Sequence, residues 1–193
     1  MTAEAPTDPF SMALPPLVVG RYRSADGRAK VALRSNVWLG GVWWACLDRT
    51  FQAGAGFLVP HRHARTDEVH FVRDGVVRYV QRGRVRTACA GDVIVFPAGT
   101  VHADPWATKD GPATVTSLLS PAAPEWIDFG LRIGTATRSG QLTRSGQPPL
   151  PVVMRIVHET GADVLAPALP AALQRRVAIP SLAALGRLFW RDA

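Results

Sequence analysis

Two stretches decide how this chain reads: Gly56 to Gly75, GFLVPHRHARTDEVHFVRDG, and Gly91 to His102, GDVIVFPAGTVH. Four of the five histidines of the protein fall between positions 61 and 102. In an extended strand side chains alternate faces, so His61 and His63 point the same way about 6.6 Å apart, close enough to grip one ion. Arg62 between them points elsewhere. After the polar turn Ala64-Arg65-Thr66 the next strand offers Glu68, a hard oxygen donor. It completes a face of two histidines and one carboxylate that leaves coordination positions open. His102, delivered by the turn Pro97-Ala98-Gly99, is a candidate fourth ligand.

Outside these stretches the chain is punctuated for many short strands. It has 193 residues, 47% of them hydrophobic, with 16 prolines and 17 glycines, a length that suits one domain with a substantial core. The expected strands are VALRSNVW, GVWWACLDRTF, FLVPHRH, EVHFVR, VVRYVQ, VRTAC, DVIVF and ATVTSLLS, with turns at Asp74-Gly75, Arg82-Gly83, Gly91-Asp92 and Asp110-Gly111-Pro112. Residues 1–16, rich in Pro and Ala, read as a flexible arm, 17–120 as the barrel, and 121–193 as a helical extension that packs on the barrel or on a partner subunit. Within that extension PEWIDFGLRIG reads as a short helix and 131–150 as a polar linker. PVVMRIVHETG places Val152, Val153, Ile156 and Val157 on one stripe and ends at Gly161. A last helix is expected to start with Ser181 as N-cap and to present Leu182, Leu185, Leu188 and Phe189 as an apolar stripe.

Composition narrows the function classes. The net charge is +7, but the basic residues are spread along the chain and twenty of the twenty-two are arginine, so no basic tract with interleaved aromatics marks a nucleic-acid binder. No apolar run reaches the length of a membrane span. The first residues lack a basic n-region and an apolar core, so a cytoplasmic location is expected. Cys46 and Cys89 are the only cysteines and read as reduced thiols, Cys46 within an apolar strand.

The spaced pattern G-x4-HxH-x4-E-x6-G, followed fifteen residues later by G-x5-PxG-x2-H, resembles the paired motifs of the cupin superfamily. The resemblance implies an all-β fold, a double-stranded β-helix or jelly-roll barrel, here with N-terminal strands and a C-terminal helical extension. It implies one divalent transition metal per chain (Fe, Mn, Ni, Cu, Co or Zn) held by His61, His63, Glu68 and His102. From Pro97 through the two helices that end near TGADVLAP, the chain is similar to single-domain cupins related to quercetin 2,3-dioxygenase. That similarity covers residues 54–166 and lets Glu68 double as a proton acceptor. Two positions depart from the pattern. Trp106 stands where the second motif usually ends in Asn, and His70 stands where an apolar residue usually follows the glutamate by two.

His70 shares a strand face with Glu68 and Val72, so it looks into the barrel beside the ligand. It reads either as a catalytic base, a pocket group that bonds substrate or a replacement for one of the expected ligands, or as a core histidine satisfied by a carbonyl. If the Asp74-Gly75 turn is a simple hairpin, Tyr79 and Gln81 follow the same inward register and join His70 and Trp106 as pocket candidates. Trp38, Trp43, Trp44 and Trp106 read as core filling or as an aromatic wall for a flat substrate. His158, near a helix C-terminus, is assigned no chemistry. Three functions stay open: a dioxygenase acting on a small enolic or phenolic, flavonol-like compound with Glu68 and His70 as catalytic groups; a metal-assisted isomerase, cyclase or lyase; and a non-catalytic small-molecule-binding module. The expected partners are a small-molecule substrate and a second copy of the chain in a homodimer, with no nucleic acid or membrane.

Overall fold

The computed structural model describes residues 17–24, 26–56, 59–138, 148–167 and 169–189. Nine strands form two antiparallel sheets. They are β1 Val18–Arg23, β2 Ala29–Leu39, β3 Val42–Phe51, β4 Asp67–Asp74, β5 Val76–Gln81, β6 Arg84–Cys89, β7 Val93–Phe96, β8 His102–Ala107 and β9 Ala113–Ser120. The larger sheet runs β1-β2-β3-β9-β4-β7 and the smaller β6-β5-β8.

The period-two pattern that makes each strand also builds the core. On β4 the buried residues are Glu68, His70 and Val72, and on β7 they are Ile94 and Phe96. Phe51, Val72, Val77, Ile94, Phe96 and Val115 fill the space between the sheets. Sheet-on-sheet packing buries one face of β4 and β7, while β8 and β9 are buried along nearly their whole length.

Asp74-Gly75 is not a hairpin. β4 pairs with β7 and β9, whereas β5 pairs with β6 and β8, so at Gly75 the chain crosses from one sheet to the other. Gly75 makes the crossing with φ 76°, and a Cβ there would run into the carbonyl of Pro112 and come within 2.9 Å of Ala113 Cα. The true tight hairpin follows at Arg82-Gly83, both with positive φ, between β5 and β6.

Three further expectations need correction. The segment around His61 is held by isolated bridges, His61 to His102 and Arg62 to Leu165, rather than by a continuous strand. The residues expected as linker begin in a helix, because α1 runs Pro124–Arg138; 139–147 lie outside the described residues. Ser181 does not cap the last helix. Ala171–Leu173 (α3), a π-helical turn Gln174–Ala178 and Ile179–Phe189 (α4) follow one another, so Ser181 lies inside the helix. Between α1 and α3 lies α2, Leu150–Thr160, which buries Val152, Ile156 and Val157 and ends at the left-handed Gly161 as its pattern predicts. The side chains of Leu188 and Phe189, and residues 1–16, lie outside the described residues.

The helices reach back to the barrel. Gly130 and Gly134 of α1 let the helix lie against Leu33 and Tyr22, where a Cβ would clash. The segment after α2 returns Asp163 and Leu165 to the mouth beside His63. Among the described residues no helix is long and apolar enough to cross a membrane.

Candidate metal centre

His61, His63, Glu68 and His102 converge, with one donor atom from each lying within 4.8 Å of all the others. Glu68 comes from β4, His102 from the first position of β8, and the His61–His102 bridge sets the two motif stretches side by side. His63 Nε2 and His102 Nε2 each lie 3.2 Å from Glu68 Oε2. Phe96 stacks on the His102 ring at 4.2 Å and Trp126 of α1 meets His63 edge-on at 5.2 Å, so apolar rings close the sides of the cluster.

Backbone carbonyls fix the imidazoles. Nδ1 of His61 faces Val59 O at 2.9 Å, Nδ1 of His63 faces Asp163 O at 2.5 Å, and Nδ1 of His102 faces Thr100 O at 2.9 Å. Each carbonyl can only accept, so each Nδ1 carries its proton and each Nε2 turns toward the cluster as a free lone pair or, when charged, as a second N–H. Three imidazoles held this way around a carboxylate are the donor set of a borderline divalent cation, with the orienting outer contacts such sites use.

The electrostatics agree. Burial would raise the Glu68 carboxyl, but the imidazoles of His70, His102 and His63 around it hold it well below the usual carboxylate range. Against the opposing effect of burial, the bonds to Glu68 raise His63 and His102, so protons compete with a metal ion for these two nitrogens. Burial lowers His61, and it lowers His70 to about 4.

His70 is fully buried beside this cluster. Its cross-strand neighbour is Ser117, whose Oγ lies 2.8 Å from Nδ1. Nε2 stands 3.4 Å from Glu68 Oε1 and has no hydrogen bond among the described residues. Of the other pocket candidates, Tyr79 faces inward against Phe96 at 5.8 Å. Gln81 is already engaged, its amide donating to Val95 O at 2.9 Å.

Trp106 faces away. A register shift between β5 and β8 pairs Trp106 with the exposed Arg78 and Ala107 with the buried Val77, which turns Trp106 to the outer face, with its Cα and Cβ beside Gly56. Trp38 and Trp43, 57% and 53% exposed, neither fill the core nor wall the pocket, and Trp44 is half-buried with its Nε1 on Leu39 O. Cys46 is buried and Cys89 exposed, both as free thiols. His158 is exposed in the last turn of α2.

Sequence reasoning missed two charged residues. Arg49 of β3 is buried between Val31 and Val115 and donates from Nη1 to Asp104 Oδ2 at 2.5 Å and from Nη2 to Glu68 Oε1 at 3.4 Å. Asp104 stands two residues after His102, so the alternation rule could have placed it on the same face. Its other oxygen, Oδ1, is 3.7 Å from both His61 Nε2 and His102 Nε2. Although burial and Glu68 push the other way, Arg49 keeps Asp104 below the ordinary carboxylate range.

The family model that matches this chain describes a cupin domain, and it matches residues 48–119, β3 through β9. The chain carries a cupin domain. Over 96 residues it is 31% identical to germin-like protein subfamily 2 member 4 of Arabidopsis thaliana; the match covers 47% of this chain and 44% of that protein, so the chain spans less than half of this relative's length. Among solved structures it is similar to KdgF from Halomonas sp., at 22% identity and a TM-score of 0.43, over 51% of this chain and 84% of that one. It is also similar to a sugar phosphate isomerase of the cupin superfamily from Silicibacter pomeroyi, at 19% identity and a TM-score of 0.43, over 54% and 72%. The cupin barrel accounts for why two stretches so far apart in sequence meet at one buried cluster.

Proposed function

We propose that this cupin is a metal-dependent dioxygenase that acts on a small enolic or phenolic compound bound as its oxyanion. The observation that carries the reading is the buried cluster of three carbonyl-fixed imidazoles and one anionic carboxylate, with the unpartnered Nε2 of His70 beside it. His61, His63, Glu68 and His102 would hold a transition-metal ion, which would supply Lewis acidity toward the oxyanion and a redox-active centre. Both atoms of dioxygen would enter the organic product, with the electrons supplied by the carbon–carbon double bond of the substrate that is broken, so no external reductant would be needed.

The chain's residues do the rest. Phe96 against His102 and Trp126 against His63 keep water from the sides of the cluster. His70, neutral near pH 7 because burial lowers it to about 4, offers a nitrogen to accept the substrate's hydroxyl proton or a hydrogen bond from it. With two carboxylates and Arg49 buried together, a dication leaves the pocket one unit positive, which suits a singly charged anion.

The test is metal analysis of protein purified without added metal, followed by oxygen uptake with flavonols, diketones and catechols after loading with Fe, Mn, Ni or Cu. Metal content lost in the His61→Ala/His63→Ala double variant is the expected control. His70→Gln should keep its metal and lose at least tenfold in turnover, the lower side of what a placed proton acceptor supplies. No oxygen uptake with any of these metals overturns the dioxygenase reading. A second reading, a metal-assisted isomerase or lyase, is favoured by the second buried carboxylate, Asp104, and predicts turnover without oxygen.

A further inference from the structure

Asp104 poses a problem that the four-ligand site does not solve. Its residue surface is 9% exposed, and Oδ1 has no hydrogen-bond partner among the described residues. An anionic oxygen left bare in a protein interior is expensive. Around it lie two nitrogens, His61 Nε2 and His102 Nε2, both at 3.7 Å, which is beyond hydrogen-bond reach.

Those separations fit a different contact. Metal bonds of about 2.0–2.2 Å to nitrogen and oxygen set two donors of one ion about 3 Å apart at a right angle and about 4.2 Å apart when opposite. The two 3.2 Å separations to Glu68 Oε2 and the two 3.7 Å separations to Asp104 Oδ1 all fall in that window. Resting on the metal-site reading above, we propose that Asp104 is a fifth protein ligand to the ion held by His61, His63, Glu68 and His102, with Arg49 as the residue that positions it. Arg49 bridges the outer oxygens, Asp104 Oδ2 and Glu68 Oε1, and so turns one oxygen of each carboxylate inward.

Arg49 also argues for a single ion. Glu68, His70 and Asp104 form a second group of donors within 4.8 Å of one another, but a second dication there faces the guanidinium bonded to both carboxylates.

The experiment uses the full chain stripped of metal and titrated with Co²⁺, read by visible absorption. The wild type should bind one equivalent, and Asp104→Asn should bind 10- to 100-fold more weakly with cobalt bands changed in position and intensity. Affinity alone cannot separate a ligand from an orienting neighbour, since loss of either weakens binding by similar factors. Asp104→Cys separates them: a thiolate at 104 that reaches the ion adds a sulfur-to-cobalt charge-transfer band in the near ultraviolet. Far-ultraviolet circular dichroism of the metal-free variants checks the fold. Unchanged cobalt bands in Asp104→Asn, no charge-transfer band in folded Asp104→Cys, or two equivalents bound by the wild type each overturn the proposal. If the His61→Ala/His63→Ala variant alone loses cobalt, the four-ligand site stands without Asp104; if the wild type takes up none, both readings fall.

Discussion

Proton competition is the residue-scale property that follows most directly from the ligand histidines. His63 and His102 are raised above the ordinary imidazole value by Glu68, so an ion competes with protons at their Nε2 atoms. Glu68 and Asp104 are lowered and stay anionic through the same range. Below the raised values, apparent metal affinity should therefore fall by about tenfold per pH unit for each imidazole that is protonated, and should level off above them. Titration of metal-free protein with Zn²⁺ between pH 8 and pH 5.5 measures this, and a flat affinity across that range refutes the proton-filled cluster. The four spaced donors could be read from the sequence because each sits at a fixed offset from a turn. Arg49 could not, because it lies in an ordinary apolar strand fifty-five residues from Asp104, and only the register of β3 against β2 and β9 turns it inward.

Which sheet a strand joins is a property of elements, and here local pattern carried less information. Alternation marks β4 and β7 and their buried faces, but Asp74-Gly75 carries the same dipeptide signal as a hairpin turn while serving as a crossing between sheets. The hairpin preference is local, whereas the partners of β5 are decided by β8, whose bulge also turns Trp106 outward. The crossing makes a quantitative prediction. Gly83 and Gly75 have nearly equal φ, 75° and 76°, but a Cβ on Gly83 meets nothing within 4 Å, while one on Gly75 meets Pro112 and Ala113 backbone. Gly83→Ala should cost about 1 kcal/mol, the ordinary penalty of a side chain in the left-handed region. Gly75→Ala should cost about 2–4 kcal/mol because backbone must also move. Urea unfolding of the two variants decides it, and equal losses would show that the crossing is soft.

At the scale of the whole molecule, the exposed aromatic surface of note among the described residues lies where β2 turns into β3. Trp38 and Trp43 face each other across that turn at 5.3 Å, each more than half exposed, with Val42 at 42% beside them. The expected stripe of the last helix offers less, since Ile179 and Ala183 are buried and Gly186 lies against Pro151 of α2, although Leu185 remains 44% exposed. We propose that a second copy of the chain covers the tryptophan pair in a twofold dimer, the commonest closed arrangement. Aromatic side chains bury 150–250 Å² each, so covering two from each copy is worth several kcal/mol before the cost of association is subtracted. Light scattering at micromolar concentration should give twice the 20.8 kDa of the chain. The Trp38→Ser/Trp43→Ser variant should halve that mass while keeping its metal content, because the pair lies at a strand turn away from the cluster. A wild-type monomer at that concentration excludes the dimer, and a dimer that survives the double substitution moves the interface elsewhere on the surface.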